Sequence, residues 1–170
     1  MTSRVLLLLA EGFGVGRVRR APGTFGSFLG LLWFLVLVWP QHLGVYAAGA
    51  LGGVLASVWV CGIAERTLKR TDPPSIVLDE IVSVPLCCAG WVAWVWLKTG
   101  EMPSPGVFFA GRSGWGLAGV FVAFRVFDIV KPWPVGALQR LPGGWGVTLD
   151  DVMAACYVNA AAAVLWLLAR

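Results

Sequence analysis

Long apolar runs separated by short polar segments dominate this chain. A brief apolar run, Val5–Ala10, leads into a Gly- and Arg-rich stretch over 12–24. Uncharged Phe25–Pro40 follows, then a tight turn at Gln41 and His42, then the uncharged run Leu43–Ile63. About 20 apolar residues match the hydrocarbon thickness of a bilayer, so Leu43–Ile63 predicts a transmembrane helix. Its small residues, among them Gly49, Gly52, Gly53 and Ser57, predict close helix approach. A polar segment over 65–80 precedes apolar Ile81–Leu97, and Lys98–Pro105 is a loop. Gly106–Phe127 is apolar but interrupted by Arg112 and Arg125. A Pro/Gly-rich loop over 128–149 leads to a last apolar helix, Val152–Leu168. The pattern predicts one all-α domain over 1–170, a polytopic membrane bundle of about five transmembrane or membrane-embedded helices.

Composition agrees. Of 170 residues, 58% are hydrophobic and 13% charged, with a mean hydropathy of +0.79. A soluble domain carries about 25% charged residues, so this chain has too few polar side chains to cover a water-facing surface. The ten tryptophans suit membrane interfaces. Cys61, Cys87, Cys88 and Cys156 lie in apolar stretches without CxxC spacing and read as small buried hydrophobes. The net charge of +4 comes from short basic groups between apolar segments. That pattern is topological and argues against nucleic-acid binding. Arg4, Arg17, Arg19 and Arg20 precede the first span; Arg66, Lys69 and Arg70 follow the second; Lys131 and Arg140 follow the fourth; Arg170 follows the last. The positive-inside rule then places the N-terminus in the cytoplasm.

This topology puts every acidic residue except Glu101 on the cytoplasmic side. Asp79-Glu80 and Asp150-Asp151 sit at expected helix starts, and Asp128 at a helix end. Acidic residues at helix N-termini are favoured by the helix dipole alone, and Thr148 with Asp151 could form a capping arrangement. Two doublets and a further carboxylate on one membrane face ask for more than capping, because they repel one another unless a cation joins them. Hard carboxylate oxygens suit Mg²⁺. Arg125, Asp128 and Lys131, spaced i, i+3, i+6 and followed by Pro132 and Pro134, could hold a phosphate and a metal together. The plainer alternative is a snorkelling Arg and Lys at a helix end. The stretch 12–27 is Gly-rich and basic without a P-loop GK[ST], and its N–H groups could cradle phosphate.

Four segments carry a resemblance. Ala21-Pro-Gly-Thr-Phe-Gly-Ser27, Val77-Leu-Asp-Glu-Ile-Val82, Phe124-Arg-Val-Phe-Asp-Ile-Val-Lys-Pro-Trp-Pro134 and Asp150-Asp-Val-Met-Ala154 resemble the phosphatidylglycerophosphatase A family, in the family's order. Ser83 and Ala155 stand where that family commonly has glycine. The resemblance implies Mg²⁺-dependent hydrolysis of phosphatidylglycerophosphate to phosphatidylglycerol and phosphate in the bacterial inner membrane, with the site facing the cytoplasm.

On this reading Asp79, Glu80, Asp150 and Asp151 are the metal ligands. Asp79, Asp128, Asp150, Arg125 and Lys131 are the catalytic set, and Arg125, Lys131, Arg17 and Thr24 contact substrate phosphate. Asp128 is left open as metal ligand, general base or nucleophile. Histidine-based phosphatases are excluded, because His42 is the one histidine and lies in the outer turn. DxDx[TV] and DGxxAR motifs are absent. A transporter would carry ionisable groups near the midplane, where this chain has almost none. A structural membrane subunit would tolerate loss of the carboxylates.

Overall fold

The computed structural model describes residues 2–168, with Arg170 and the Arg112 side chain outside them. The described chain is helical: α1 (Thr2–Ala10), α2 (Pro22–Val38), α3 (Leu43–Leu68), α4 (Leu78–Thr99), α5 (Arg112–Val130), the single turn α6 (Val135–Leu138) and α7 (Gly144–Leu168). Two 3₁₀ segments, Gly12–Arg17 and Pro105–Phe108, join them. Four helices, α3, α4, α5 and α7, are long and apolar enough to cross a membrane. The fifth apolar helix, α2, has 17 residues. At 1.5 Å per residue it is about 25 Å long, a little short of a bilayer's hydrocarbon core.

Side chains such as Leu32, Leu51, Leu55 and Ile129 stay exposed on the outside of the bundle. In water they would aggregate; in lipid they face their proper solvent. Inside, α2 packs on α4, and α4 on α7, around fully buried Phe34, Cys88, Phe108 and Phe124. Phe34 and Phe108 meet edge-on at 4.9 Å between ring centroids. The small residues of α3 are only partly used for packing. Ala50 and Ser57 are buried, but nothing lies within 4 Å of a side chain built at Gly52. The tightest crossing is supplied by α7 instead, where a Cβ on Gly144 would lie 1.9 Å from the Val58 carbonyl oxygen of α3. Ser83, Ala154 and Ala155 are fully buried, which keeps these positions small.

Two helix starts differ most from the sequence expectation. Helix α7 begins at Gly144, not at 152, so Asp150 and Asp151 lie inside its second turn. The capping role for Thr148 and Asp151 is therefore overturned. Thr148 is buried inside the helix, past the cap position, and its hydroxyl bonds Ser57 Oγ of α3 at 3.0 Å. The chain folds this way because Gly143, at φ +64°, turns it into a helix whose glycine-rich first turn fits against α3. Similarly, α5 starts at 112 and not at 106, because Pro105–Phe108 forms its own turn.

Candidate active site

Helix ends converge at one end of the bundle. The start of α2, the first turn of α4, the last turn of α5 and the second turn of α7 surround a cavity of about 240 Å³. Pro73 and Pro74 lie within the preceding loop, and the Val77 N–H, one residue before α4, donates to the Ala10 carbonyl at 2.9 Å, which fixes where α4 begins. Asp79 and Glu80 then fall in the first turn of α4, where the helix dipole favours negative charge.

Successive helical residues point about 100° apart, and this divides the labour of the second doublet. Asp150 turns toward the loop after α5, where the Lys131 ammonium donates to its Oδ2 at 2.6 Å. Asp151 turns toward α4. One carboxylate oxygen from each of Asp79, Glu80 and Asp151 lies within 4.8 Å of the others. Asp79 Oδ1, Glu80 Oε2 and Asp151 Oδ2 are buried and accept no hydrogen bond. A buried carboxylate oxygen without a donor is strongly unfavourable. Three on one cavity form a hard-oxygen site of the kind that holds a divalent cation.

The rest of the cavity wall adds charge of both signs. Asp72, Asp79, Glu80, Asp128, Asp150 and Asp151 face it, against Arg125 and Lys131. Arg125 Nη1 contacts Asp128 Oδ2 at 2.7 Å and Glu80 Oε1 at 3.8 Å, and it reaches Ser27 Oγ at 3.5 Å. Its Nε–H is buried and has no acceptor. Lys131 lies just past α5 at φ +47°. Burial opposes its charge, but the hydrogen bond to Asp150 and the nearby carboxylates of Asp128 and Asp72 outweigh that, so its pKa is raised.

Each expected site residue can now be placed. Asp79, Glu80 and Asp151 converge as a potential ligand set. Asp150, expected beside them as a ligand, instead pairs with Lys131. Arg125, Asp128 and Lys131 all reach the cavity, though Lys131 does so from beyond the helix and not from a shared helical face. Arg17 and Thr24 do not line it. Arg17 points to Glu11 at 2.6 Å with its side chain largely in solvent, and the Thr24 N–H closes the first turn onto Ala21.

Sequence reasoning missed three wall or support residues. Asp72 lines the cavity, accepts from Gln139 Nε2, and has its own N–H bonded to Glu65 Oε1 at 2.8 Å. Its signal was an acid directly before Pro73-Pro74. Ser27 bonds the Gly23 carbonyl at 2.9 Å and braces Arg125. Gly23 lets α2 approach, since a Cβ there would lie 2.1 Å from Glu80 Oε1. The stretch 21–27 thus matters for close packing against the acids, while the N–H groups of Thr24 and Phe25 are taken up by the Ala21 carbonyl.

Comparisons with known proteins bear on this site. The profile of the family described as phosphatidylglycerophosphatase A matches residues 8–166. A phosphatidylglycerophosphatase A of Escherichia coli is 32% identical over 149 residues, covering 86% of this chain and 75% of that protein. One from Haemophilus influenzae is 31% identical, covering 88% and 82%. A Bacteroides thetaiotaomicron protein, named as a candidate phosphatidylinositol-3-phosphatase, is 31% identical, covering 89% and 87%. No solved structure matches the chain.

Proposed function

The chain belongs to the phosphatidylglycerophosphatase A family, and we propose that it hydrolyses the terminal phosphomonoester of phosphatidylglycerophosphate, giving phosphatidylglycerol and inorganic phosphate. The observation that carries this reading is the set of three donor-less carboxylate oxygens on Asp79, Glu80 and Asp151, in one cavity with Arg125 and Lys131. Six carboxylates against two cations leave the wall strongly negative. Such a wall repels a phosphate ester by itself and accepts one only with divalent cations present.

The donor set fits Mg²⁺, with Asp79, Glu80 and Asp151 as ligands. When bound, Mg²⁺ supplies charge neutralisation and acidifies water. The chain's own residues do the rest. Arg125, whose buried Nε–H lacks an acceptor, is placed to donate to a phosphoryl oxygen as charge develops there. Lys131, held protonated by Asp150, balances the opposite side of the cavity. Asp128, salt-bridged to Arg125, orients that guanidinium. With its carboxylate on the wall, Asp128 is also the candidate to take a proton from an attacking water. Asp150 acts through Lys131, which makes it a positioning residue on this reading.

The cavity opens at the ends of membrane-crossing helices, where a lipid phosphate lies, so the diacylglycerol part can remain in the bilayer. We assign this end to the cytoplasm of a bacterial inner membrane, because Arg66, Lys69, Arg70 and Lys131 gather there and Lys98 marks the other end. This places phosphoryl hydrolysis ahead of transport, since the ionisable cluster sits at a boundary and not at the midplane.

The test is phosphate release by purified protein in detergent, from phosphatidylglycerophosphate and from phosphatidylinositol 3-phosphate, with Mg²⁺ or EDTA. Release from the former, lost with EDTA and weakened in Asp79→Asn at the same Mg²⁺ concentration, is expected. Preference for the inositol lipid would reassign the headgroup. No release of either by folded protein would sink the reading.

A further inference from the structure

A second concave surface lies beside the catalytic cavity and serves no step of the proposed reaction. It is a groove of about 490 Å³ between the end of α3 and the turn before α7. Arg66, Lys69 and Arg70 line one side, and Pro142 and Gly143 the other. All three basic side chains are exposed, and none has a carboxylate within 4 Å among the described residues. The one acid in the lining, Glu65, is buried and already accepts the Asp72 N–H at 2.8 Å. The groove therefore has an excess of positive charge, in contrast to the negative cavity next to it.

We propose that this groove is a binding site for the phosphate of an anionic phospholipid headgroup, separate from the catalytic cavity. Its place in the fold selects a lipid over a soluble anion. The membrane-crossing helix α3 ends at Leu68, between Arg66 and Lys69, so the three cations sit at headgroup depth directly beneath lipid-exposed Leu55 and Trp59. A phosphodiester held there keeps its acyl chains along α3. The close crossing of Gly144 on Val58 brings the positive end of the α7 dipole to the same groove. Basic residues at a helix C-terminus also favour that helix's own dipole, but that role needs no concave surface and no facing wall from α7. Asp72 links the two cavities. Its N–H is held by Glu65 of the groove, and its carboxylate faces the catalytic side.

The proposal stands apart from the phosphatase reading and is tested without turnover. Dihexanoyl phosphatidylglycerol, dihexanoyl phosphatidylcholine and inorganic phosphate are titrated calorimetrically into detergent-solubilised protein. EDTA is present, so that the cation-free catalytic cavity repels anions. Saturable binding of phosphatidylglycerol, weakened by salt and absent for phosphatidylcholine, is expected. A surface cation is worth roughly fivefold in affinity for an anionic lipid. Arg66→Gln/Lys69→Gln/Arg70→Gln should therefore lower the affinity about 100-fold. If that variant does not fold, Lys69→Gln alone should lower it about fivefold. Unchanged affinity in the folded variant overturns the site. Phosphatidylglycerol binding no tighter than inorganic phosphate makes it a site for the free anion and overturns the lipid assignment.

Discussion

Replacing Gly23 by alanine tests how closely α2 must approach the acids. Gly23 is the second residue of α2 and has a helical backbone that alanine also adopts, so the substitution adds no backbone strain. What it adds is a methyl group 2.1 Å from Glu80 Oε1 and 3.0 Å from Arg125 Nη2. Carbon and oxygen do not approach that closely, so the Glu80 carboxylate must withdraw by about 1 Å. It then leaves the position it shares with Asp79 and Asp151 and strains its contact with Arg125. A misplacement of about 1 Å in a reacting constellation costs roughly 100-fold in rate, or about 2.7 kcal/mol in the barrier. The overpacking itself costs about 1–3 kcal/mol of stability, partly offset by alanine's better helix propensity. The assay is phosphate release over a Mg²⁺ titration, beside a thermal melt in detergent. Gly52→Ala, where nothing lies within 4 Å, serves as the control. The expected result is a rate down about 100-fold, with half-activation moved to higher Mg²⁺, in protein that still melts cooperatively. A Gly23→Ala protein within threefold of wild type on both counts would refute the placement of Glu80.

Other expectations follow from the same geometry. Asp79→Asn and Asp151→Asn should each raise the Mg²⁺ needed for half-activation on the order of tenfold or more, while Asp150→Asn, which faces Lys131, should lower the rate with a smaller change in Mg²⁺ dependence. Equal shifts in all three would return Asp150 to the ligand set. Lys131→Met strands the buried Asp150 carboxylate. Losing one partner of a buried pair costs about 3–5 kcal/mol, discounted here to about 2 because the lysine is a quarter exposed. The melting temperature should fall in Lys131→Met and largely recover in Lys131→Met/Asp150→Leu. Ser57→Ala leaves the buried Thr148 hydroxyl without its 3.0 Å partner and should destabilise by about 1 kcal/mol, whereas Ser57→Ala/Thr148→Val should melt near wild type. EDTA should lower the melting temperature of the wild type, because removing a cation leaves the Asp79, Glu80 and Asp151 charges to repel one another. An EDTA-insensitive melt would count against a bound divalent ion.

The sequence by itself determined the helical membrane bundle, because uncharged runs such as Leu43–Ile63 have only one way to satisfy their backbone in lipid. It also determined that the acids gather at one boundary, since the apolar runs leave them nowhere else to lie. Helix boundaries were less legible where glycine and proline crowd together. The start of α7 at Gly144 depends on a close crossing with α3 that no local pattern records. Partners were decided by tertiary structure alone. Asp150 and Asp151 are chemically identical neighbours, and only the rotation of α7 against α4 and the loop after α5 gives one a lysine and the other two carboxylates. Asp72 looked like a loop residue until the folding of 71–77 carried it to the wall of the cavity. Arg17 looked like a phosphate ligand until Glu11, six residues away, claimed it. Sequence periodicity assigns a residue to a face of its own helix. Which side chain it meets there is set by how separate helices pack, and that is a property of the whole chain.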